Sequence, residues 1–269
     1  MRTLRWFRIY RLLLGAAWRA EMQYRGNLLM NVLGGLCYQG AGLAFIWAVL
    51  DRFGNLGGWT LGEIVFLYGL RLAAHGVWVV PGHQLIFVDQ VVVEGEYERY
   101  LVRPAPPLLQ LLTRRFRPIA LGDLAGGLAL LAIAGTQVPV DWSVPAVAFL
   151  ILAVFGGAMV EASAQLTASA LVFRLLKTMP IKMLIDGLFN EFGNYPMKIF
   201  GPAARFGLTF VFPLAFVAYF PSTALLNRTG ELSVPSAVAW FSPLVGFVLL
   251  FLAYRFWCRQ SRHFQSSGH

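Results

Sequence analysis

The chain has 269 residues, 58% of them hydrophobic and 13% charged, with a formal net charge of +9 and a mean hydropathy of +0.63. Soluble domains carry roughly 25% charged residues, so a chain this poor in polar groups could not cover its surface in water. The composition excludes a soluble globular protein and points to one all-α integral membrane domain over 1–269.

Residues 1–24 are Arg-rich, with Leu4, Phe7, Leu14 and Trp18 near helical spacing. That pattern fits a helix lying in the headgroup layer; a disordered basic tail is the alternative. The apolar run Leu12–Trp18 is too short for a secretory signal and ends at Arg19. Apolar runs of spanning length follow at 27–50, 62–81, 118–136, 144–172 and 237–258. Turn-rich pieces such as "DRFGNLGGW" (51–59) and "TQVPVDWS" (136–143) bound them.

The fifth span has two candidates. "KMLIDGLFNEFGNYPMK" (182–198) places Lys182, Asp186, Asn190, Asn194 and Lys198 at every fourth position among apolar residues, a helix with a polar stripe. Each step of four drifts about 40° around the helix, so the stripe winds and Glu191 partly joins it. Hydropathy alone favours 206–226 instead and makes 182–198 a surface helix.

Basic residues orient the spans. Arg2, Arg5, Arg8, Arg11, Arg19 and Arg25 precede the first span; Arg99, Arg103, Arg114, Arg115 and Arg117 fill the 82–117 loop. Arg174, Lys177 and Lys182 follow the fourth span, and Arg255, Arg259 and Arg262 follow the last. Alternate loops hold few. Both termini are therefore expected in the cytoplasm, the number of crossings is even, and six fits. The positive charge then serves topology and anionic lipid, and no nucleic acid partner is expected.

Motifs for chemistry are missing. There is no GxxxxGK(S/T) phosphate loop, HExxH, GxSxG or CxxC. His75, His83, His263 and His269 are scattered, so no metal site is expected, and Cys37 and Cys258 make no disulfide framework. No inverted repeat of hydropathy stands out, which counts against a secondary transporter.

Ionisable groups within spans are costly, so they face protein or a wet cavity. Arg71 and His75 share a face of the second span, as do Glu161, Gln165 and Ser169 on the fourth. With Asp186 and Asn190 they form stripes on three segments. Two readings stand: Arg71 and Glu161 are an intramembrane pair fixing helix register, or Glu161, Gln165, Asp186, Asn190 and Glu191 line a substrate pathway. Carboxylates there favour a cationic amphipathic substrate. The loop 88–116 combines Glu94, Glu96, Glu98 and Arg99 with a break at Pro104, Pro106 and Pro107. It is either a docking surface or a solvated loop.

"MQYRGNLLMNVLGG" (22–35), "GGWTLGEIVFLYGL" (57–70), "GEYERYLVRPAPPLLQLLTRRF" (95–116), "ALGDLAGG" (120–127) and "FVFPLAFVAYFPSTALL" (210–226) occur in this order. Together they resemble the permease subunits of bacterial ABC type-2 exporters, in the branch described as drug or viologen exporters. The resemblance implies six transmembrane helices after an N-terminal interfacial helix. It implies a cytoplasmic coupling helix near Val91–Leu101, with Glu94, Glu96, Glu98, Arg99 and Arg103 as ATPase contacts. It also implies a fifth span over 181–200 and a re-entrant element over 203–226 before the last helix. Two permeases would pair, as homodimer or heterodimer, in the inner (plasma) membrane. Separate cytoplasmic ABC ATPase subunits would bind ATP and Mg, so this chain would hold no cofactor and catalyse nothing. The rivals are a non-transporting membrane scaffold or immunity protein, and an intramembrane enzyme using Glu161 and His75.

Overall fold

The computed structural model describes residues 25–114, 119–175 and 177–264, together with scattered positions between 15 and 23. The expected interfacial helix over 1–24 therefore lies largely outside the described residues.

Helix α1 runs Arg25–Phe53 and turns back through Gly57 and Gly58, both at positive φ. Leu56 and Trp59 pair across that turn, the backbone sign of a turn that glycines close without strain. Helix α2, Leu61–Gly82, starts where the Glu63 carboxylate accepts from the Thr60 N–H at 2.8 Å, a capping-box contact. A 3-10 turn, His83–Phe87, carries the helical path on into α3, Val88–Val93. After Gly95 come α4, Glu96–Leu101, and α5, Pro107–Leu112, which opens on a proline. Helix α6 is Ile119–Gly135 and α7 is Val144–Ala170, capped by Ser143. The short α8, Val172–Leu175, follows, then α9, Met179–Phe192.

The next stretch is irregular. Helix α10, Pro202–Phe206, passes into a π-helical turn, Gly207–Val211. A 3-10 turn at Leu214–Phe216 leads to α11, Tyr219–Leu225, and α12, Ala237–Gln260, ends the bundle.

Among the described residues, four helical stretches are long and apolar enough to cross a bilayer: Leu28–Ala48, Leu61–Val93, Val144–Leu175 and Ala237–His263. The second has 72% of its apolar window buried inside the protein, against 17% for the first. So α2 is the axis of the bundle and α1 a lipid-facing flank. Helix α2 packs on α6 and α7, α12 packs on α7, and α1 packs on α6. The chain is thus an all-α membrane protein with four or five candidate spans.

Several expectations change in detail. The expected third span corresponds to α6, of which 17 residues are described, about 25 Å of helix. Neither candidate for the fifth span is a continuous crossing. Helix α9 stops at Phe192, where Gly193 and Pro196 interrupt it, so the expected stripe to Lys198 is not one helix. Residues 202–211 and 214–225 form two limbs bent by 70°, because Pro213 cannot donate the N–H that would continue the first limb. The described residues of the 82–117 segment are mostly helical. The single coupling helix expected over Val91–Leu101 is split into α3 and α4 by Gly95 at φ 71, a left-handed conformation that glycine adopts without steric cost.

Glycines set the tightest seams. A Cβ on Gly76 of α2 would lie 2.6 Å from the Leu124 Cα on α6, and one on Gly156 of α7 would lie 2.5 Å from the Pro243 Cα on α12. Such backbone approach is how helices associate where lipid removes the hydrophobic drive. Gly156→Ala should therefore lower the thermal unfolding midpoint in detergent, costing about 1–3 kcal/mol. Gly34→Ala, where nothing lies within 4 Å, should leave the midpoint unchanged. Equal midpoints for the two variants would contradict the seam.

Candidate functional site

The polar side chains of the spans gather on one face of α7. At its first rung Glu161 is 2% exposed. One carboxylate oxygen lies 2.7 Å from His75 Nδ1 and the other 3.7 Å from Arg71 Nε, both partners on α2. Arg71 reaches on to α9, donating to Asn190 Oδ1 at 2.6 Å. One turn along α7, Gln165 donates to the Lys182 carbonyl on α9 at 3.2 Å. One turn further, Ser169 donates to the Leu85 carbonyl at 2.9 Å. The i, i+4 spacing of the three residues stacks them on one face, and each rung ties a different neighbour.

The lowest rung leads to a node absent from the sequence reading. The Asp89 carboxylate on α3 accepts from the Thr178 N–H at 2.5 Å, the Thr178 hydroxyl at 2.7 Å and the Met179 N–H at 2.7 Å. Those N–H groups open α9 and have no partners within it, and the positive end of a helix favours an anion. Lys182, one turn into α9 and 1% exposed, completes the node. Its ammonium bonds Asp89 at 2.5 Å and the Ile86 carbonyl at 2.7 Å. Thr178 before Met179-Pro180 is a legible helix start, but nothing in the sequence shows that its anion comes from 89 residues upstream.

A third group joins the flank. Gln39 of α1 donates to Asp123 of α6 at 2.7 Å and accepts from the Tyr68 hydroxyl of α2 at 2.5 Å.

Between α1, α2 and α9 lies a cleft of two adjoining cavities. The deeper, about 260 Å³, is lined by Gln39, Tyr68, Arg71, Asn190, Glu191 and Asn194. The outer, about 450 Å³, is aromatic, with Phe45, Phe192, Tyr195 and Phe200 beside Glu191. Glu191 is exposed. The Asn194 amide donates to the Asn190 carbonyl, and its buried Oδ1 has no hydrogen-bond partner. Asp186 accepts from Asn190 Nδ2 at 3.1 Å. Of the residues singled out as pathway candidates, Asn190 and Glu191 face this cleft, Asp186 holds Asn190 from behind, and Glu161 and Gln165 are packed between helices. Glu161 and His75 do meet, but one carboxylate oxygen is turned to Arg71 and the side chain is 3% exposed. Among the described residues no group of three or more His, Cys, Asp or Glu is arranged to hold a metal ion.

At the end of the bundle beyond Asp89, α4 is fixed from beneath. Tyr97 packs at a tilt against Phe173 and Phe264 at ring-centroid distances of 5.1 and 4.9 Å, and Phe173 meets Trp257 edge to face at 5.1 Å. Burial pushes the Tyr97 hydroxyl up to about 12, so it stays neutral at physiological pH. Gln110 of α5 donates to the Tyr100 and Ala105 carbonyls at 2.9 and 2.7 Å, closing the Pro-rich turn. Glu96 is half-buried and paired with Arg114 at 2.6 Å, whereas Glu94, Glu98, Arg99 and Arg103 are exposed on the outer surface.

These contacts make asymmetric demands. Asp89→Ala strands the buried Lys182 and uncaps α9, so it should cost about 3–5 kcal/mol by unfolding in detergent. Lys182→Met leaves Asp89 three helix-terminal donors and should cost clearly less; the opposite order would refute the node. Glu161→Leu should likewise cost about 3–5 kcal/mol, and adding Arg71→Leu should recover part of it. Strict additivity would show that the two do not interact.

No curated protein and no solved structure matches the chain. Residues 36–268 match the family model described as ABC-2 family transporter protein. A bundle of apolar helices around a polar interior, matched over nearly its whole length, identifies the chain as a member of that family: a multi-pass membrane permease of ABC type-2, a class that associates with ABC ATPase subunits.

Proposed function

We propose that the chain is one of two paired permeases of an exporter in the inner membrane, driven by separate cytoplasmic ATPases and passing cationic amphipathic compounds. The α3–α4 end faces the cytoplasm, as the Arg-rich segments there require. The exposed Glu94, Glu98, Arg99 and Arg103 contact the ATPase, while Glu96 braces α4 against Arg114. The bent limbs 202–211 and 214–225 re-enter the membrane from the outer side, and residues 181–200, α9 with the turn that follows it, make an interrupted fifth span.

The Asp89 node carries this reading. It joins the segment that an ATPase would push to the start of α9, and α9 forms one wall of the cleft. Displacement of α3–α4 then moves Asn190 and Glu191 with little loss, because a charge pair and helix-terminal bonds tie the two segments. The cleft itself suits a cation with apolar bulk. It offers the Glu191 carboxylate and the Asn194 carbonyl oxygen as acceptors, with aromatic rings on which a cation can rest. Arg71 also lines the deeper cavity, but Asn190 and Glu161 engage it and it is nearly fully buried.

The test uses the chain co-reconstituted with its ATPase in vesicles and tetraphenylphosphonium as the cation. Glu191→Gln should lower ATP-driven uptake about tenfold, the loss of one charge interaction. Reversing charge with Glu98→Lys and Arg99→Glu should release the ATPase from the purified complex. ATPase activity indifferent to tetraphenylphosphonium, together with uptake unchanged in Glu191→Gln, would refute the assignment and leave a membrane scaffold as the function.

A further inference from the structure

A second polar site lies at the opposite end of the bundle, around Thr60 and Glu63. There α10, the π turn Gly207–Val211, α11 and the 231–234 segment enclose a cavity of about 310 Å³. Two carboxylates and three cations lie beside it, and two of the cations are paired with the acids. Glu63 is bonded by Arg228 at 2.6 and 3.0 Å. Glu231 is bonded by Arg228 at 2.6 Å, by Lys198 at 3.3 Å and by the Trp59 indole at 3.3 Å. Arg228 and Lys198 therefore neutralise both acids.

Arg205 is the surplus cation. It lines the cavity and takes part in none of the ion pairs among the described residues. One terminal nitrogen donates to the Lys198 and Phe200 carbonyls at 3.0 and 3.4 Å. Its Nε is buried and has no acceptor. The side chain is half-buried, so its guanidinium can be reached from the cavity, and its planar fork matches the oxygens of a phosphate or carboxylate.

The Glu231 carboxylate, paired with Arg228 and Lys198, and Ser233 also line the cavity, and most of the remaining lining is apolar and aromatic. Phe206 and Phe210 stack at 5.2 Å and Phe220 closes the far side, with Thr209 and Tyr219 adding hydroxyls. The π turn is itself informative. Its extra residue per turn, closed by the Phe212 N–H on the Gly207 carbonyl at 2.8 Å, is a rare geometry that occurs frequently at functional sites.

We propose that this cavity binds an anionic amphiphile, with its phosphate or carboxylate head on Arg205 and its hydrocarbon chain against Phe206, Phe210 and Phe220. This site is separate from the cleft and does not depend on the transport reading.

The experiment follows a single thiol. Ser233 is exposed and lines the cavity. The full chain carrying Ser233→Cys, with Cys37→Ser and Cys258→Ser, is purified in dodecyl maltoside and labelled with a maleimide. Dodecyl phosphate should slow labelling, while dodecyltrimethylammonium and inorganic phosphate at the same concentrations should not. Arg205→Gln should raise the dodecyl phosphate concentration for half-protection about tenfold, the loss of one charge-assisted contact. Arg205→Lys should keep most of the protection. Equal protection by the trimethylammonium amphiphile would overturn the anionic preference, and equal protection by inorganic phosphate would reduce the site to a small-anion site. Unchanged protection in Arg205→Gln would overturn the role of Arg205. The head-group comparison stands on the parent chain even if Arg205→Gln fails to fold.

Discussion

The Asp89 carboxylate organises this molecule. A charge buried at the edge of a membrane protein is tolerated only where several donors converge on it. Here the donors are the free end of α9, the Thr178 hydroxyl and the Lys182 ammonium. The consequence is structural before it is functional. Helix α9 has only 14 residues, about 21 Å, too few to be held by spanning the bilayer. It is held instead by its polar ends and rungs: Asp89 at its start, Gln165 on its first turn, and Arg71 on Asn190 near its end. A stripe that looks like a solvent path in one dimension is mostly the grip of the bundle on a short helix.

Four long spans and several contacts of the interior were legible in the sequence, for identifiable reasons. Long apolar runs can hardly be anything but membrane helices. Glu161, Gln165 and Ser169 fall on one face because four-residue spacing nearly completes a helical turn. Arg71 and His75 share a face for the same reason, which brings both to Glu161. What stayed hidden depends on contacts between distant segments or on single backbone angles. Asp89 looks like one more charge in a polar loop. The division of 91–101 turns on the φ of Gly95. The end of α9 at Phe192 reflects Gly193 and Pro196, whereas the polar repeat continues past both. A repeat of residue types persists through a helix end because sequence spacing carries no memory of φ and ψ.

Two ends of the molecule differ in kind. Around α4 and α5, aromatic packing and the Gln110 bonds give a stiff platform with exposed charges on top. At the other end, π-helical, 3-10 and bent segments crowd together, and the ion pairs of Arg228 with Glu63 and Glu231 add to their backbone hydrogen bonds. Between them the cleft is bounded by α2, buried on nearly all sides, and by α1 and α9, which are not. The unequal burial marks where the structure is fixed and where it can yield.

The seam at Gly156 has a mechanical corollary. With the Pro243 backbone pressed against it and Gly246 opposite on α12, no side chain stands between α7 and α12 at this crossing to repack or rotate. They form a single plank, and α2 is clamped to its neighbour α6 in the same manner at Gly76. Any widening of the cleft must then come from the lightly buttressed members, α1 hinging away and α9 tilting about its anchored foot, while the plank stays still as the stator.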